Sequence, residues 1–310
     1  MSAAPVILDC DPGHDDAIAI LLALASPEIE LLGVTTVCGN QTLEKTTANA
    51  IRVLDHVGRA DLPVAAGALR PLMRESAVAP DVHGESGLDG PDLPAPTRGP
   101  SGEHAIDWMA SVVAGSSAPV TLVATGPLTN VALFLARHPE PARALERIVL
   151  MGGAIGEGNV TPAAEFNIWA DPEAARRVFS SGIDLTMVGL DVTHRALMTA
   201  AHAKRLAASG AAGRLVADLH GFYSRFHRAR YGWDGAPVHD AVALAHAVDA
   251  TLLETKRCGV RIDTGPELSR GRTYVDVWGS AGWRPSCHVA TGIDAERTLE
   301  LLLTRISALG

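Results

Sequence analysis

Four carboxylates lie within eight residues near the start of the chain, where they could hold a metal ion. Asp9, Asp11, Asp15 and Asp16 follow a short apolar run, and residues 1–44 contain no Lys or Arg to balance their charge. A helix dipole favours one or two acids at its N-terminus, but four such charges repel one another at the end of a buried strand. Because every ligand offered is an oxygen, the stretch predicts a hard divalent cation, Ca²⁺ or Mg²⁺, rather than Zn²⁺.

Two other interpretations of this acidic stretch stay open. The acids could be ordinary turn and capping residues, since Asp is common at helix N-termini. Asp-x-Asp after a first strand is also similar to the nucleophile loop of phosphatases of the haloacid dehalogenase type. That pattern requires Thr or Val two residues after the second Asp, where this chain has Gly13, and this difference weakens the phosphatase interpretation.

Further polar groups that could do chemistry follow later in the chain. Residues 152–158 are rich in Gly but lack the G-x-G-x-x-G order of a dinucleotide site, and they predict a flexible loop that faces the substrate. Asn159, Glu165 and Asn167 come just after it and are typical of groups that bind sugar hydroxyls. His239 and Asp240 stand at a loop-to-helix junction, where a histidine is either structural or an acid catalyst.

Alternating strands and helices must position these groups. Apolar and β-branched runs predict strands at 6–8, 31–38, 63–66, 120–124, 147–151 and 184–190. Helical spacing predicts a helix from Asp15 onward and further helices at 43–57, 103–114, 200–230, 241–248 and 295–306. Asp171 and Pro172 predict another helix start, and residues 256–290 alternate like strands. Residues 70–102 predict a long loop, which inside a compact domain is more often functional than not.

Repeated β-α units predict an α/β fold, a single-domain open doubly wound sandwich with a mostly parallel central sheet. We expect one domain over residues 1–310. In such sheets ligands bind beyond the carboxyl ends of the strands. Because each polar cluster follows a strand or opens a helix, one edge of the sheet could bring them together.

Composition narrows the possible partners. The chain has 310 residues, of which 47% are hydrophobic, and this proportion suits a large buried core. The net charge is −9 and no basic run exceeds two residues, which disfavours nucleic acid or an acidic membrane surface as a partner. No apolar run is long enough to span a membrane, and the N-terminus lacks a basic signal-peptide region. The four cysteines form no C-x-x-C and predict reduced thiols in a cytoplasmic protein.

Taken together, these motifs resemble the nucleoside hydrolases of the inosine-uridine preferring type, and the resemblance spans essentially the whole chain. The signature Asp-Cys-Asp-Pro-Gly-His-Asp-Asp stands at 9–16. Seven further motifs recur in order: Gly-Asn-Gln-Thr at 39–42, His-Gly-Glu-Ser-Gly at 83–87, Thr-Gly-Pro-Leu-Thr-Asn at 125–130, Met-Gly-Gly at 151–153, Ala-Glu-Phe-Asn at 164–167, Asp-Pro-Glu-Ala at 171–174 and Val-His-Asp at 238–240. The resemblance implies hydrolysis of the N-glycosidic bond of ribonucleosides with a tightly held Ca²⁺.

The resemblance also implies roles for particular residues. The calcium ligands would be Asp11, Asp16, Asp240 and the backbone carbonyl of Thr125. The residues that bind the ribose would be Asp15, Asn40, Met151, Asn159, Glu165 and Asn167, with Asp15 and Asn167 at the 2′- and 3′-hydroxyls and Asn159 and Glu165 at the 5′-hydroxyl. The residues that face the base would be His83, Phe166, Tyr223, His227 and Tyr231. A one-residue shift would replace the helical ones by Phe222 and Phe226, and Trp233 could stack on a base or merely pack.

The implied mechanism proceeds through an oxocarbenium-like ribosyl centre. Asp11 would accept the proton of the attacking water, and His239 would protonate the leaving base as general acid. We expect a small-molecule ribonucleoside substrate and a homo-oligomer, dimer or tetramer. Purine and pyrimidine substrates both stay open at this point. So do two other classes of function, a phosphohydrolase of the dehalogenase type and a non-catalytic nucleoside-binding protein.

Overall fold

A nine-stranded sheet forms the centre of the computed structural model, which describes residues 3–265 and 268–309. The strands within these residues are β1 Ala4–Cys10, β2 Ile29–Thr36, β3 Val64–Ala66, β4 Val120–Ala124, β5 Leu145–Met151, β6 Leu185–Val188, β7 Leu197–Met198, β8 Ala236–Pro237, β9 Leu253–Ile262, β10 Thr273–Asp276 and β11 Cys287–Ile293. The central sheet has the order β10-β9-β11-β6-β5-β4-β1-β2-β3, and β7 and β8 pair separately. Seven strands, from β11 to β3, run parallel, while β9 and β10 continue the sheet antiparallel.

Helices cover both faces of this sheet. They are α1 His14–Ala25, α2 Leu43–His56, α3 Pro80–His83, α4 Ala105–Gly115, α5 Thr129–Arg137, α6 Pro139–Arg143, α7 Phe166–Ala170, α8 Pro172–Phe179, α9 Leu190–Thr193, α10 Ala200–Ala207, α11 Ala211–Tyr231, α12 His239–Val248 and α13 Ala295–Ala308. The apolar faces of α1, α2, α11, α12 and α13 pack in one buried cluster, and those of α4, α5 and α8 pack in the other. The predicted doubly wound α/β sandwich is therefore confirmed.

Strand β1 is buried on both faces, as a central strand of a parallel sheet must be. Its side chains alternate between the two cores: Leu8 packs in one cluster and Ile7 in the other. Since neither face meets water, the run is apolar throughout rather than alternating. The first polar side chains appear where the strand ends, at the carboxyl edge of the sheet.

The chain reverses its direction of travel across the sheet at the neighbouring strands β1 and β4. From β1 it proceeds outward through β2 and β3, and from β4 it proceeds the other way through β5 and β6. The crevice beyond the carboxyl ends of two such strands is the usual ligand site of an open α/β sheet. Asp11 follows β1 and Thr125 follows β4, so the acidic stretch lies at this crevice.

Several predicted boundaries are wrong, each for a local reason. The predicted helix 200–230 is two helices, because Gly210 adopts a φ of +112° that interrupts the helical backbone. The predicted strand 184–190 is only Leu185–Val188, because Gly189 caps α9. The predicted loop 70–102 contains the one-turn helix α3. Asp171 does cap α8, accepting a hydrogen bond from the backbone N–H of Ala174. Within the described ranges, no helix has the length and apolar character needed to cross a membrane.

Candidate active site

Three carboxylates converge at the floor of the crevice. Asp15 and Asp16 lie in the first turn of α1, and Asp240 lies in the first turn of α12. Oxygens of these three buried side chains lie within 4.8 Å of one another. The two helices pack side by side, so the positive ends of both dipoles point toward the same group of acids. Residues more than two hundred positions apart in the sequence thus form one acidic cluster.

Asp11 lies beside this cluster with one oxygen unsatisfied. Its Oδ2 accepts a hydrogen bond of 2.6 Å from the backbone N–H of Asn40, whereas its buried Oδ1 has no hydrogen-bond partner among the described residues. Asp16, in contrast, is fully engaged by the Thr125 hydroxyl (2.9 Å) and by the backbone N–H of Gly13 (3.0 Å). A buried carboxylate oxygen without a donor costs free energy unless a ligand meets it.

Burial perturbs these acids most, and their mutual repulsion adds to it. Burial and then the charge of Asp16 raise the pKa of Asp15 to about 8. Burial, followed by the neighbouring carboxylates, also raises the pKa of Asp11 and of Asp240 well above the ordinary value. A divalent cation would reverse this effect, because an opposite charge favours the ionised form. The oxygen-only donor set and the unsatisfied Asp11 oxygen therefore fit a hard cation such as Ca²⁺.

The four predicted calcium ligands all lie at or beside the acidic cluster. The structure brings Asp16 and Asp240 together, with Asp11 alongside, and it adds Asp15, which was predicted to bind the ribose. The backbone carbonyl of Thr125 is also at the site, where it accepts a hydrogen bond of 2.7 Å from Nδ2 of Asn167. The roles of these residues stay predictions.

A second layer lies under the cluster. Asp9 is buried and its Oδ1 accepts hydrogen bonds from the hydroxyl of Thr35 (2.6 Å) and from Nδ2 of Asn130 (2.8 Å). Burial, which outweighs these two hydrogen bonds, raises the pKa of Asp9 to about 7. Through these hydrogen bonds Asp9 ties the end of β1 to Thr35 and Asn130.

A pocket of approximately 380 Å³ opens above the acidic floor. All but two of the predicted site residues line it: Asp15, Asn40, His83, Thr125, Met151, Asn159, Glu165, Phe166, Asn167, Tyr223, His227, Tyr231, His239 and Asp240. The two exceptions, Asp11 and Asp16, are fully buried and do not line the pocket. Such a volume suits one small organic molecule rather than a polymer.

The polar end of the pocket is held by a network of backbone contacts. The Glu165 carboxylate caps α7, accepting from the backbone N–H groups of Asn167 and Ile168, and it also accepts from Gly153. Burial raises the pKa of Glu165 to about 7. Nδ2 of Asn167 donates to the Thr125 carbonyl, and the Asn159 side chain accepts from the backbone N–H of Phe166. These contacts fix the side chains before any ligand arrives.

Helix α11 supplies the opposite wall with a single face. Five of its residues line the pocket at helical spacing: Tyr223, Phe226, His227, Arg230 and Tyr231. The predicted register of Tyr223, His227 and Tyr231 agrees with this face. Of the alternatives, Phe222 instead stacks on His14 at 5.3 Å, while Phe226 joins the wall.

Two further predicted site residues, His83 and His239, are histidines that line the pocket. His239 begins α12 beside Asp240, and its Nδ1 lies 2.7 Å from the hydroxyl of Thr193. Burial and the nearby His194 lower the pKa of His239 well below its usual range. His83, at the end of α3, has its Nδ1 3.2 Å from Nδ1 of His14.

Comparison with known sequences identifies the family of this protein. The family described as inosine-uridine preferring nucleoside hydrolase matches residues 6–300. The chain belongs to this family. The expectation of an enzyme that hydrolyses N-glycosidic bonds is confirmed at the level of the family, and the dehalogenase-type interpretation of Asp9 and Asp11 is not favoured.

Individual nucleoside hydrolases are similar over nearly their full length. A pyrimidine-specific ribonucleoside hydrolase RihA from Shewanella sp. strain MR-7 is 50% identical over 305 residues, covering 98% of this chain and 96% of the relative. A plant nucleoside hydrolase, the PpNRh1 enzyme, superposes with a TM-score of 0.93 at 35% identity, covering 98% and 99% of the two chains. A purine-preferring ribonucleoside hydrolase from Gardnerella vaginalis superposes with a TM-score of 0.92 at 37% identity, covering 98% of each.

Sequence reasoning missed several residues of this nucleoside hydrolase pocket. Trp169, His194 and Arg230 line it, as do five residues of the long loop: Ala77, Val78, Ala79, Asp81 and Val82. Thr193 lies behind His239. His194 follows the strand that was predicted to end near it, so its position at the carboxyl edge was a usable signal. Residues 77–82 carry no comparable signal, because only the path of the long loop brings them to the pocket.

Proposed function

We propose that this nucleoside hydrolase is a Ca²⁺-dependent enzyme that hydrolyses pyrimidine ribonucleosides to free base and ribose. One observation carries the proposal: a single pocket joins a buried acidic floor to a wall of histidines and tyrosines. The floor suits a sugar diol and a cation, and the wall suits a planar heterocycle. Residues 1–310 would form one catalytic domain.

The ribose would lie against the floor. Asp15 and Asn167 are proposed to bind its 2′- and 3′-hydroxyls with Asn40 close by, and Asn159 and Glu165 its 5′-hydroxyl. All five line the pocket. Carboxylates accept from hydroxyls and amides can donate or accept, so this set suits a triol better than a phosphate.

Calcium would be held by Asp11, Asp16, Asp240 and the carbonyl of Thr125, with Asp15 close enough to share in it. When bound, such a cation orients water and makes it more acidic. Asp11 is proposed both to bind the cation and to accept a proton from the attacking water. Its buried Oδ1, which has no hydrogen-bond donor among the described residues, supports these two roles.

The chain's own residues then account for bond cleavage. The water oxygen bonds to the anomeric carbon as the N-glycosidic bond breaks, and the bonding pair leaves with the base. Anionic side chains around the sugar stabilise the positive charge that develops on the ribosyl centre. His239 supplies the proton that the base needs. Because burial lowers its pKa, its protonated form is scarce at neutral pH and correspondingly strongly acidic.

Two observations support a pyrimidine rather than a purine. The relative at 50% identity is named pyrimidine-specific, whereas the purine-preferring structural neighbour is 37% identical. The base end of the pocket also offers hydrogen-bonding rings on several sides, among them His83, His227 and Tyr231. A leaving pyrimidine delocalises its charge over its ring carbonyl oxygens, which donors around the ring edge can stabilise.

The decisive experiment measures ribose released from a panel of nucleosides. Uridine and cytidine should have kcat/KM values at least about tenfold above those of inosine and adenosine, which corresponds to roughly 1.4 kcal/mol of transition-state preference. Equal rates for inosine and uridine would overturn the pyrimidine assignment. Tight nucleoside binding without any free ribose would instead indicate a non-catalytic binding protein.

We also propose a homo-oligomer, dimer or tetramer, in the cytoplasm. Large apolar side chains such as Trp278 (88% exposed) and Met73 (76% exposed) lie on the surface and suit a subunit contact. All four cysteines are free thiols and buried, which suits a reducing compartment. Sedimentation velocity tests the first proposal, since a monomer at micromolar concentration would contradict it.

A further inference from the structure

The loop between β5 and α7 is fixed from outside by two oppositely charged side chains. Its first part, residues 152–158, is the Gly-rich stretch that the sequence predicts to be a flexible loop facing the substrate. In the structure the carboxylate of Asp191 accepts from the backbone N–H groups of Ile155 (2.7 Å) and Gly156 (2.9 Å). Two hydrogen bonds from outside the loop thus hold the backbone of its first part.

Arg272 holds the other side of the same backbone. Its guanidinium donates to the carbonyls of Ile155 (3.0 Å), Gly156 (2.6 Å) and Ala163 (3.3 Å). The first two carbonyls lie in the outgoing arm of the loop and the third lies in the returning arm, two residues before Glu165. One side chain thus joins both arms, which the planar fork of Arg allows and the single ammonium of Lys does not.

The peptide group between Ile155 and Gly156 is bound by both Arg272 and Asp191. Its carbonyl oxygen receives Arg272, and its N–H donates to Asp191. The two charges lie at opposite ends of the peptide dipole, each beside the end that it stabilises. Charge interactions, and not packing alone, therefore set the orientation of this peptide, since Ile155 is half-buried and Gly156 is exposed.

The clamped loop carries three residues of the pocket, Asn159, Val160 and Glu165. Asn159 lies between the arms that Arg272 joins, and Glu165 follows directly after them. The neighbour of Arg272, Thr273, adds a third tie, since its hydroxyl accepts from the backbone N–H of Ala154 at 2.9 Å. The hairpin β9–β10 therefore reaches across the sheet edge to set where Asn159 and Glu165 stand.

We propose that Arg272, with Asp191 as its counterpart, is a positioning residue for recognition of the ribose 5′-hydroxyl. Neither residue lines the pocket, and both act through the loop that presents Asn159 and Glu165. This inference rests on the proposed function, because it takes the ligand to be a nucleoside. It assigns to the β9–β10 hairpin a part in substrate selection.

The test is a cycle of enzyme variant against substrate 5′-hydroxyl. In the wild type, replacing uridine by 5′-deoxyuridine should lower kcat/KM at least about tenfold, as expected for a lost hydrogen bond. Arg272→Gln should lower kcat/KM for uridine about tenfold and change that for 5′-deoxyuridine less than about twofold. Arg272→Lys should fall between Gln and wild type. An equal loss on both substrates would overturn the proposal and leave Arg272 a merely structural residue.

Two further variants keep the test decisive. Asp191→Asn should give the same selective loss, and it serves alone if Arg272→Gln does not fold; combining the two should cost little more than the worse single change, because both act on one peptide. Arg261→Gln is the matched control, because Arg261 lies on β9 of the same hairpin and its guanidinium stacks on Trp283 at 4.5 Å. Its loss should leave kcat/KM for both substrates unchanged. If the wild type releases no ribose, the proposed function fails, and the same cycle is then read from calorimetric affinities for the two nucleosides.

Discussion

The hydroxyl oxygen of Thr193 lies 2.7 Å from Nδ1 of His239. This contact occupies one ring nitrogen and leaves Nε2 as the nitrogen available to a ligand in the pocket. It also fixes the rotation of the ring, because Thr193 is fully buried at the end of α9. The orientation of the proposed acid is therefore decided by a residue that does not line the pocket.

Thr193→Val should lower kcat for uridine about tenfold, the usual size of one lost hydrogen bond. Thr193→Ser retains the hydroxyl and should stay within about threefold of the wild type. The measurement is steady-state ribose release at saturating uridine. A valine variant as active as the wild type would mean that the ring needs no such partner.

His239→Ala should lower kcat for uridine by roughly 10²–10⁴, the range of general acid catalysis. The same variant should hydrolyse p-nitrophenyl riboside nearly as fast as the wild type, because p-nitrophenolate leaves without a proton. The two substrates are compared under identical conditions. Equal losses on both would refute the role of His239 as acid.

Chelation should both inactivate and destabilise the protein. The acids of the cluster repel one another without a cation, and a cation at 100 times its Kd stabilises the folded state by about 2.7 kcal/mol. We expect EDTA to lower Tm and added Ca²⁺ to restore it together with activity. Asp240→Asn should weaken that response. A Tm indifferent to EDTA and Ca²⁺ would contradict a metal at Asp15, Asp16 and Asp240.

Gly39→Ala should damage the cluster through Asp11. A Cβ at this position would lie 2.1 Å from Oδ2 of Asp11, too close for any contact, so the carboxylate must move. We expect at least about a hundredfold loss of kcat/KM, comparable to removing an important electrostatic group. Gly115→Ala is the matched control, since its Cβ meets nothing within 4 Å at the end of α4. It should leave activity unchanged and stability equal or higher.

His246 should make stability depend on pH. Burial, followed by the charges of Arg147 and His288, lowers its pKa to about 4 from an ordinary 6.5. Because the unfolded chain binds this proton first, stability is complete above pH 6.5 and falls as the pH drops toward 4. Between pH 7.5 and pH 5 the wild type should lose about 2 kcal/mol of unfolding free energy that His246→Gln does not lose. Urea titrations at both pH values measure this, and parallel losses in the two proteins would exclude His246 as the source.

The sequence predicts the carboxyl-edge site well for a physical reason. The hydrophobic runs of β1, β4 and β5 are buried on both faces, so they stand out as short apolar segments. In a parallel sheet the polar residues that follow such strands meet at one edge. The helical face of Tyr223, His227 and Tyr231 is likewise readable from spacing alone.

Other features depend on contacts that no local pattern encodes. The break between α10 and α11 follows from the positive φ of Gly210. Glycine permits this conformation, but a glycine in the sequence does not by itself predict it. The clamp of Arg272 on Ile155 joins residues 117 positions apart. A Gly-rich stretch looks mobile in sequence because its own residues restrain it little, and here the restraint comes from elsewhere in the chain.

The acidic cluster also bears on how the protein is made. Asp15 and Asp16 emerge early during synthesis, in a segment that has no Lys or Arg up to position 44. The third carboxylate of the cluster, Asp240, emerges only after three quarters of the chain. A chain that has not yet reached α12 therefore lacks Asp240 from the proposed donor set. Retention of the proposed calcium would then report that synthesis and folding have both reached α12, and it would distinguish such molecules from chains truncated before Asp240.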